Sequence, residues 1–232
     1  MIEVTDVTYR HDDGTRALDG CSLAVADGET VLLCGPNGSG KTTLLQHLNG
    51  LLTPDAGTVS VDGRDASEHP VHARTAVGTV FQDPRDGVVA ATVGADAAFG
   101  PENLGLDREE IDRRVDAALD AVGLRDRADA RIEALSGGQR ARVAVAGALA
   151  MEPAHLALDE PFAGLDWPSA RRLLEHLDDL RESGVSLVVA THDLRDLAPR
   201  ADRVAVLEEG RVVHETADPA PTVLKQFGVR PW

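Results

Sequence analysis

Gly35-Pro36-Asn37-Gly38-Ser39-Gly40-Lys41-Thr42 fits the pattern GxxxxGK followed by Ser or Thr, and its surroundings decide how the chain is built. Thr30-Val31-Leu32-Leu33-Cys34 comes directly before it, a continuous apolar run typical of a strand buried on both faces. Thr42 to Leu48 follows with helical character. Strand, glycine-rich turn and helix in that order close backbone N–H groups around phosphate oxygens, and the helix N-terminus adds its partial positive charge. Lys41 would bridge the β- and γ-phosphates of a nucleotide, and the Thr42 hydroxyl would coordinate Mg²⁺. Residue frequencies give such a match by chance in under roughly one per cent of chains this long.

Outward from this stretch, Ile2-Glu3-Val4-Thr5 and Ser22-Leu23-Ala24-Val25 read as short antiparallel strands split by the polar turn His11-Asp12-Asp13-Gly14. Thr58-Val59-Ser60-Val61 is a further strand turning at Asp62-Gly63. Residues 107–127 carry Ile111, Val115, Ala118, Leu119 and Val122 on one helical stripe, behind an N-cap at Asp107. From Leu135 the order is helix (to Met151), strand (156–159), helix (169–182), strand (186–190) and a last strand (203–207) with a hairpin partner. Alternating helices and apolar strands imply an α/β fold with a mostly parallel sheet. The helix-rich stretch between about Phe81 and Leu135 has no such strands and should be a separate helical lobe. There is no internal repeat.

The 232 residues are 43% hydrophobic with a formal charge of −16, which excludes a disordered acidic chain and argues against nucleic acid as a partner. Only Lys41 and Lys225 are lysines among 23 basic side chains, and Asp outnumbers Glu. An Asp-rich, Lys-poor surface resembles the proteins of extreme halophiles, in which salt screens self-repulsion. Cys21 and Cys34 read as buried small hydrophobes, with neither a zinc-type nor a disulfide pattern. No run reaches the roughly 18 apolar residues of a membrane span, and no signal-peptide pattern opens the chain, so a soluble intracellular chain is expected.

Two further stretches carry chemistry. Leu156-Ala157-Leu158-Asp159-Glu160 is an apolar strand ending in two acids. Beside a phosphate loop, Asp159 is placed to hold the Mg²⁺ shell and Glu160 to orient or deprotonate an attacking water. Leu135-Ser136-Gly137-Gly138-Gln139 opens a long Ala/Val helix and makes a second anion-binding helix start. An ordinary Ser N-cap accounts for Ser136, but not for Gly137, Gly138 and Gln139 together.

With these motifs the chain resembles ABC-type ATPases over nearly its whole length. The resemblance implies a P-loop NTPase fold: a RecA-like core with an N-terminal antiparallel β lobe over 1–82 and 136–232, and a helical subdomain at about 83–135. It implies ATP and Mg²⁺ as ligands, held by Gly35, Pro36, Asn37, Gly38, Ser39, Gly40, Lys41, Thr42 and Thr43, with Tyr9 stacking on adenine. Gln82 would contact Mg²⁺ or the attacking water, and His192 would touch the γ-phosphate. Gly164-Leu165-Asp166 matches the D-loop of the dimer interface; Trp167 beside it has no role derivable from sequence. Each ATP would lie between the 35–43 loop of one subunit and Ser136–Gln139 of a second ATPase subunit, the same chain or a paralogue.

Phe81-Gln82-Asp83-Pro84-Arg85-Asp86, Ala91-Thr92-Val93 and Ala98-Phe99-Gly100-Pro101-Glu102-Asn103-Leu104-Gly105-Leu106 are similar to energy-coupling-factor ATPases, which drive uptake of cobalt, nickel, biotin and other vitamins. The departures are Asp86-Gly87-Val88-Val89, where that family commonly has a polar Asp-Gln before an apolar pair, and an end at Trp232 without an added C-terminal segment. The likeness implies integral membrane transport subunits as partners and a place on the cytoplasmic face of the membrane. The alternatives are a soluble ABC ATPase in cofactor assembly and another importer class. A small-molecule kinase would leave Ser136–Gln139 and His192 unexplained.

Overall fold

The computed structural model describes residues 1–81 and 88–217, together with Leu224. Its contacts divide the chain into two compact units, one of Met1–Thr79, Ala154–Glu160 and Arg181–Trp232, the other of Val80–Pro153 and Pro161–Leu180. The chain runs β1 (Ile2–Arg10), β2 (Arg16–Val25), β3 (Thr30–Cys34), α1 (Lys41–Leu48), β4 (Ala56–Val61), β5 (Arg64–Asp65), α2 (Pro70–Ala76) and β6 (Val77–Val80). There follow α3 (Val93–Asn103), α4 (Arg108–Ala121), α5 (Gly137–Ala150), β7 (His155–Asp159), α6 (Trp167–Glu182), β8 (Ser186–Ala190), β9 (Arg203–Glu208) and β10 (Arg211–Thr216).

The first unit holds two sheets. One has the order β10-β9-β3-β8-β7-β6 and the other β2-β1-β4-β5. β3 lies between β8 and β9 and is parallel to both, with Leu33 opposite Ala190 and Ala205. Every residue of β3, β7 and β8 is buried, which is why these strands read as unbroken apolar runs rather than alternating ones. In the four-stranded sheet β1 pairs antiparallel with β2 and β4. Ile2, Val4 and Val7 turn inward there, joining Leu44, Leu45 and Leu48 of α1 in a single apolar cluster. Each fully buried Leu of α1 contributes about 1.5–3 kcal/mol relative to exposure.

β1 and β2 are longer than the short strands expected, because Tyr9, Arg10 and Arg16 extend the pairing through half-buried and exposed positions. In the second unit α3, α4 and α5 pack on one another. Ile111, Ala118, Leu119 and Val122 are buried as the stripe predicts, and the Asp107 side chain accepts from the Glu110 N–H at 2.9 Å. Before Asp107 the chain forms α3, with Pro101 in its last turn, as a helix-rich lobe requires. Tertiary packing overrides propensity here, since a Cβ at Gly100 would lie 2.3 Å from Met151 Sδ. No described helix is long and apolar enough to cross a membrane.

Candidate functional site

The 35–43 loop leaves the carboxyl end of β3 and enters α1. Two of its glycines are required by backbone geometry. Gly35 has φ +146° with a carbonyl oxygen of Leu207 2.0 Å from where a Cβ would stand, and Gly40 has φ +106° with Ala17 O at 2.4 Å. The first helical bond of α1 runs from the Leu44 N–H to Gly40 O at 2.8 Å, so the N–H groups before it have no acceptor inside the helix. Lys41 is buried, and its Nζ donates to Gly35 O at 2.9 Å and Pro36 O at 3.0 Å. Ser39 Oγ is buried and has no partner among the described residues. Helix-start N–H groups without an intrahelical acceptor, a central ammonium and a hydroxyl with no described partner suit a phosphate chain.

The expected Mg²⁺ ligands meet within the same unit. The Thr42 hydroxyl donates to Asp159 Oδ2 in a short hydrogen bond. A hydroxyl and a carboxylate in contact form the hard oxygen pair that Mg²⁺ takes, so these residues fit the ion. Burial pushes the Asp159 carboxyl pKa above its ordinary value and the neighbouring Glu160 charge adds to this, while Thr42 and Lys41 oppose it.

Glu160 stands one residue beyond β7 with φ +49°, in the left-handed region that a non-glycine residue occupies only when its surroundings impose it. Its N–H donates to Ala190 O at 2.9 Å. Its Oε1 accepts from the His192 N–H at 2.9 Å and lies 2.7 Å from His192 Nδ1. Its Oε2 accepts from the Thr191 hydroxyl at 3.2 Å. With a carboxylate opposite Nδ1, the neutral ring carries its proton there and keeps a lone pair on Nε2. Only as imidazolium could the ring donate to an anionic oxygen through Nε2 while remaining paired with Glu160. The His192 side chain is 73% exposed, open to such a contact.

Tyr9 is half-buried, edge-on to His47 with ring centroids 4.8 Å apart and to His11 at 5.2 Å. His11 Nε2 lies 3.4 Å from Thr43 Oγ1, so this aromatic group adjoins the first turn of α1. Sequence reasoning singled out neither His11 nor His47, and it missed Thr191. A lone His or Thr at a strand end carries no pattern of its own.

In the second unit Ser136 caps α5. Its Oγ accepts from the Gln139 N–H at 3.3 Å, and the Gln139 side-chain oxygen accepts from the Ser136 N–H at 2.9 Å, a reciprocal capping box. The expectation that a simple cap leaves Gln139 and both glycines unexplained is therefore corrected. The cap accounts for Gln139, and Gly138 is required because its Cβ would meet Gly164 O at 2.6 Å. Only Gly137, with nothing within 4 Å of its Cβ position, has no local structural reason. The Asp166 carboxylate accepts from the Ser169 N–H at 2.9 Å, and Trp167 is 65% exposed. Gln82 and the neighbouring Asp83–Gly87 stretch lie outside the described residues.

Cys21 and Cys34 are free and buried, their thiol pKa values pushed up by burial to about 11 and about 12, so both behave as packing residues. Asp27, Asp62 and His155 bring three metal-type ligand atoms together. The Met1 ammonium lies among them, bonded to Asp27 and, at 2.8 Å, to Asp62.

This chain belongs to the ABC transporter family, whose pattern matches residues 18–163. A protein of Halobacterium salinarum, provisionally named an ABC transporter ATP-binding protein, is 56% identical over the whole of both chains. The energy-coupling factor transporter ATP-binding protein EcfA of Methanocaldococcus jannaschii is 45% identical over 93% of this chain and 78% of its own length. The cobalt import ATP-binding protein CbiO of Rhodobacter capsulatus is 47% identical over 97% and 83%. Among solved structures, cbiO1 of Clostridium perfringens, part of the ABC transporter complex cbiONQ, superposes with a TM-score of 0.79 at 37% identity, covering 93% of this chain and 88% of that one. A dimeric ATP-binding cassette in a post-hydrolysis state with ADP and Pi superposes at 0.84 and 29% identity, covering 93% and 98%. The fold is that of an ABC ATPase, and the chain is an ATP hydrolase of that family.

Proposed function

We propose that this chain is the ATP-hydrolysing subunit of an energy-coupling-factor importer whose cargo is a metal ion such as cobalt or nickel, or a vitamin. The observation that carries the hydrolytic part is the convergence of Lys41, Thr42, Asp159, Glu160 and His192 within one compact unit. The transport part is supported by the likeness to EcfA and CbiO proteins. Gly35–Thr43 binds the ATP phosphates, and Tyr9 packs against the base. Thr42 and Asp159 hold Mg²⁺, which when bound neutralises phosphate charge. Glu160 accepts the proton of the attacking water, and His192, paired with Glu160, faces the γ-phosphate.

A second ATPase subunit completes the site by presenting Ser136–Gln139. Gly137 is the position there that leaves room for a close approach. The dimer docks on integral membrane subunits, which places the chain at the cytoplasmic face. Two measurements test this. Glu160→Gln in the assembled complex should lower ATP turnover about 100-fold or more while nucleotide still binds; turnover near wild type removes Glu160 as the base. Affinity purification from membranes should recover multi-span partners, and recovery of soluble partners alone defeats the transport reading. Uptake of labelled cobalt, nickel and biotin in a deletion strain identifies the cargo.

A further inference from the structure

We infer that Thr191 is a positioning residue for Glu160. This rests on the reading of Glu160 as the base and names what aims it. Thr191 is buried at the carboxyl end of β8, and its hydroxyl sits among three polar groups. It reaches Glu160 Oε2 and Asp193 O at 3.2 Å each, and it accepts from the Asp193 N–H at 3.1 Å. The backbone N–H of Thr191 donates to Leu33 O at 3.1 Å, in the strand that feeds the phosphate loop. One residue therefore ties the base both to that strand and to the turn bearing His192.

The carboxylate of Glu160 needs such a tie. His192 holds Oε1 alone, and a carboxylate gripped at one oxygen still pivots about that contact. The single proton of the Thr191 hydroxyl is within reach of Glu160 Oε2 and Asp193 O alike; donated to Oε2, it fixes the second oxygen and with it the plane of the group. Proton transfer to a base falls steeply with misalignment, so loss of this grip acts on turnover and not on nucleotide affinity.

The test uses full-length chain in its membrane complex. Thr191→Val removes the hydroxyl at nearly constant shape and should lower kcat about ten-fold, with KM for ATP changed less than about two-fold. Thr191→Ser restores the hydroxyl and should restore kcat; it keeps the test decisive where the Val variant folds poorly. On a Glu160→Gln background, Thr191→Val should leave the residual turnover nearly unchanged, because the group it aims is gone. Wild-type kcat in Thr191→Val, a Ser variant that fails to restore turnover, or equal losses with and without the Glu160 carboxylate would each overturn the positioning role. Near-normal turnover in Glu160→Gln alone refutes the base assignment instead, so the two failures are separable.

Discussion

The Thr42 hydroxyl donates to Asp159 Oδ2, joining the first turn of α1 to the last residue of β7 across 117 positions of sequence. The bond holds together the two oxygens proposed for Mg²⁺. It also places an acid where its charge is disfavoured, since burial and Glu160 both raise its pKa.

Asp159→Asn should therefore separate stability from function. A carboxyl whose folded pKa is raised contributes stability that is fully present below its unfolded pKa and is lost as pH rises through the folded value. At neutral pH the amide removes that penalty and still accepts from Thr42. The nucleotide-free variant should melt above wild type at pH 7, with the gain shrinking toward pH 4. ATP turnover should fall about 100-fold. Melting curves across pH and a phosphate-release assay check both parts.

Gly137→Ala and Gly138→Ala should fail differently. A methyl group at Gly138 meets Gly164 O, a backbone atom with little room to yield, so that variant should lose about 1–3 kcal/mol of stability. Gly137 has open space, so its Ala variant should melt within about 0.5–1 kcal/mol of wild type, the range set by helix propensity and surface position. Its ATP turnover should nonetheless drop if a partner subunit approaches there. Denaturant melts paired with turnover distinguish the two.

Removing the cap of α5 tests the reciprocal bonds between Ser136 and Gln139. Ser136→Ala should cost about 1 kcal/mol. Gln139→Ala should cost less, because only its side chain's bond to the exposed Ser136 N–H is lost. A double-mutant cycle followed by urea unfolding should show the pair coupled by more than about 0.5 kcal/mol.

Stability should rise with salt. A charge of −16 on 232 residues repels itself over a screening length of about 10 Å at 0.1 M salt and about 3 Å at 1 M. The melting temperature should climb between 0.1 and 2 M KCl, most steeply below about 1 M. A flat profile would detach the acidic surface from any adaptation to salt.

The core of the site was legible because its signals are local. The 35–42 pattern occupies eight consecutive residues, and β3, β7 and β8 announce themselves as apolar runs because both faces are covered. What escaped depends on contacts distant in sequence. Thr191 meets Glu160 across 31 positions, and the reason for Gly100 inside α3 is the packing of Met151, 51 residues on. Asp96 carried no signal either. It is buried and accepts the Val89 and Ala90 N–H groups at 2.7 and 2.9 Å, organising the segment that enters α3. Gln139 shows the opposite error, a residue assigned wholly to recognition that also closes a helix cap.

Lys41 spans the phosphate loop by donating to two of its carbonyls, Gly35 O and Pro36 O. A loop braced by its own cation has less conformational freedom left to lose, so nucleotide capture at the proposed site would be an exchange of partners. A preorganised loop has no ordering step to delay association, so the bracing by Lys41 would bear on the speed of capture as well as its strength.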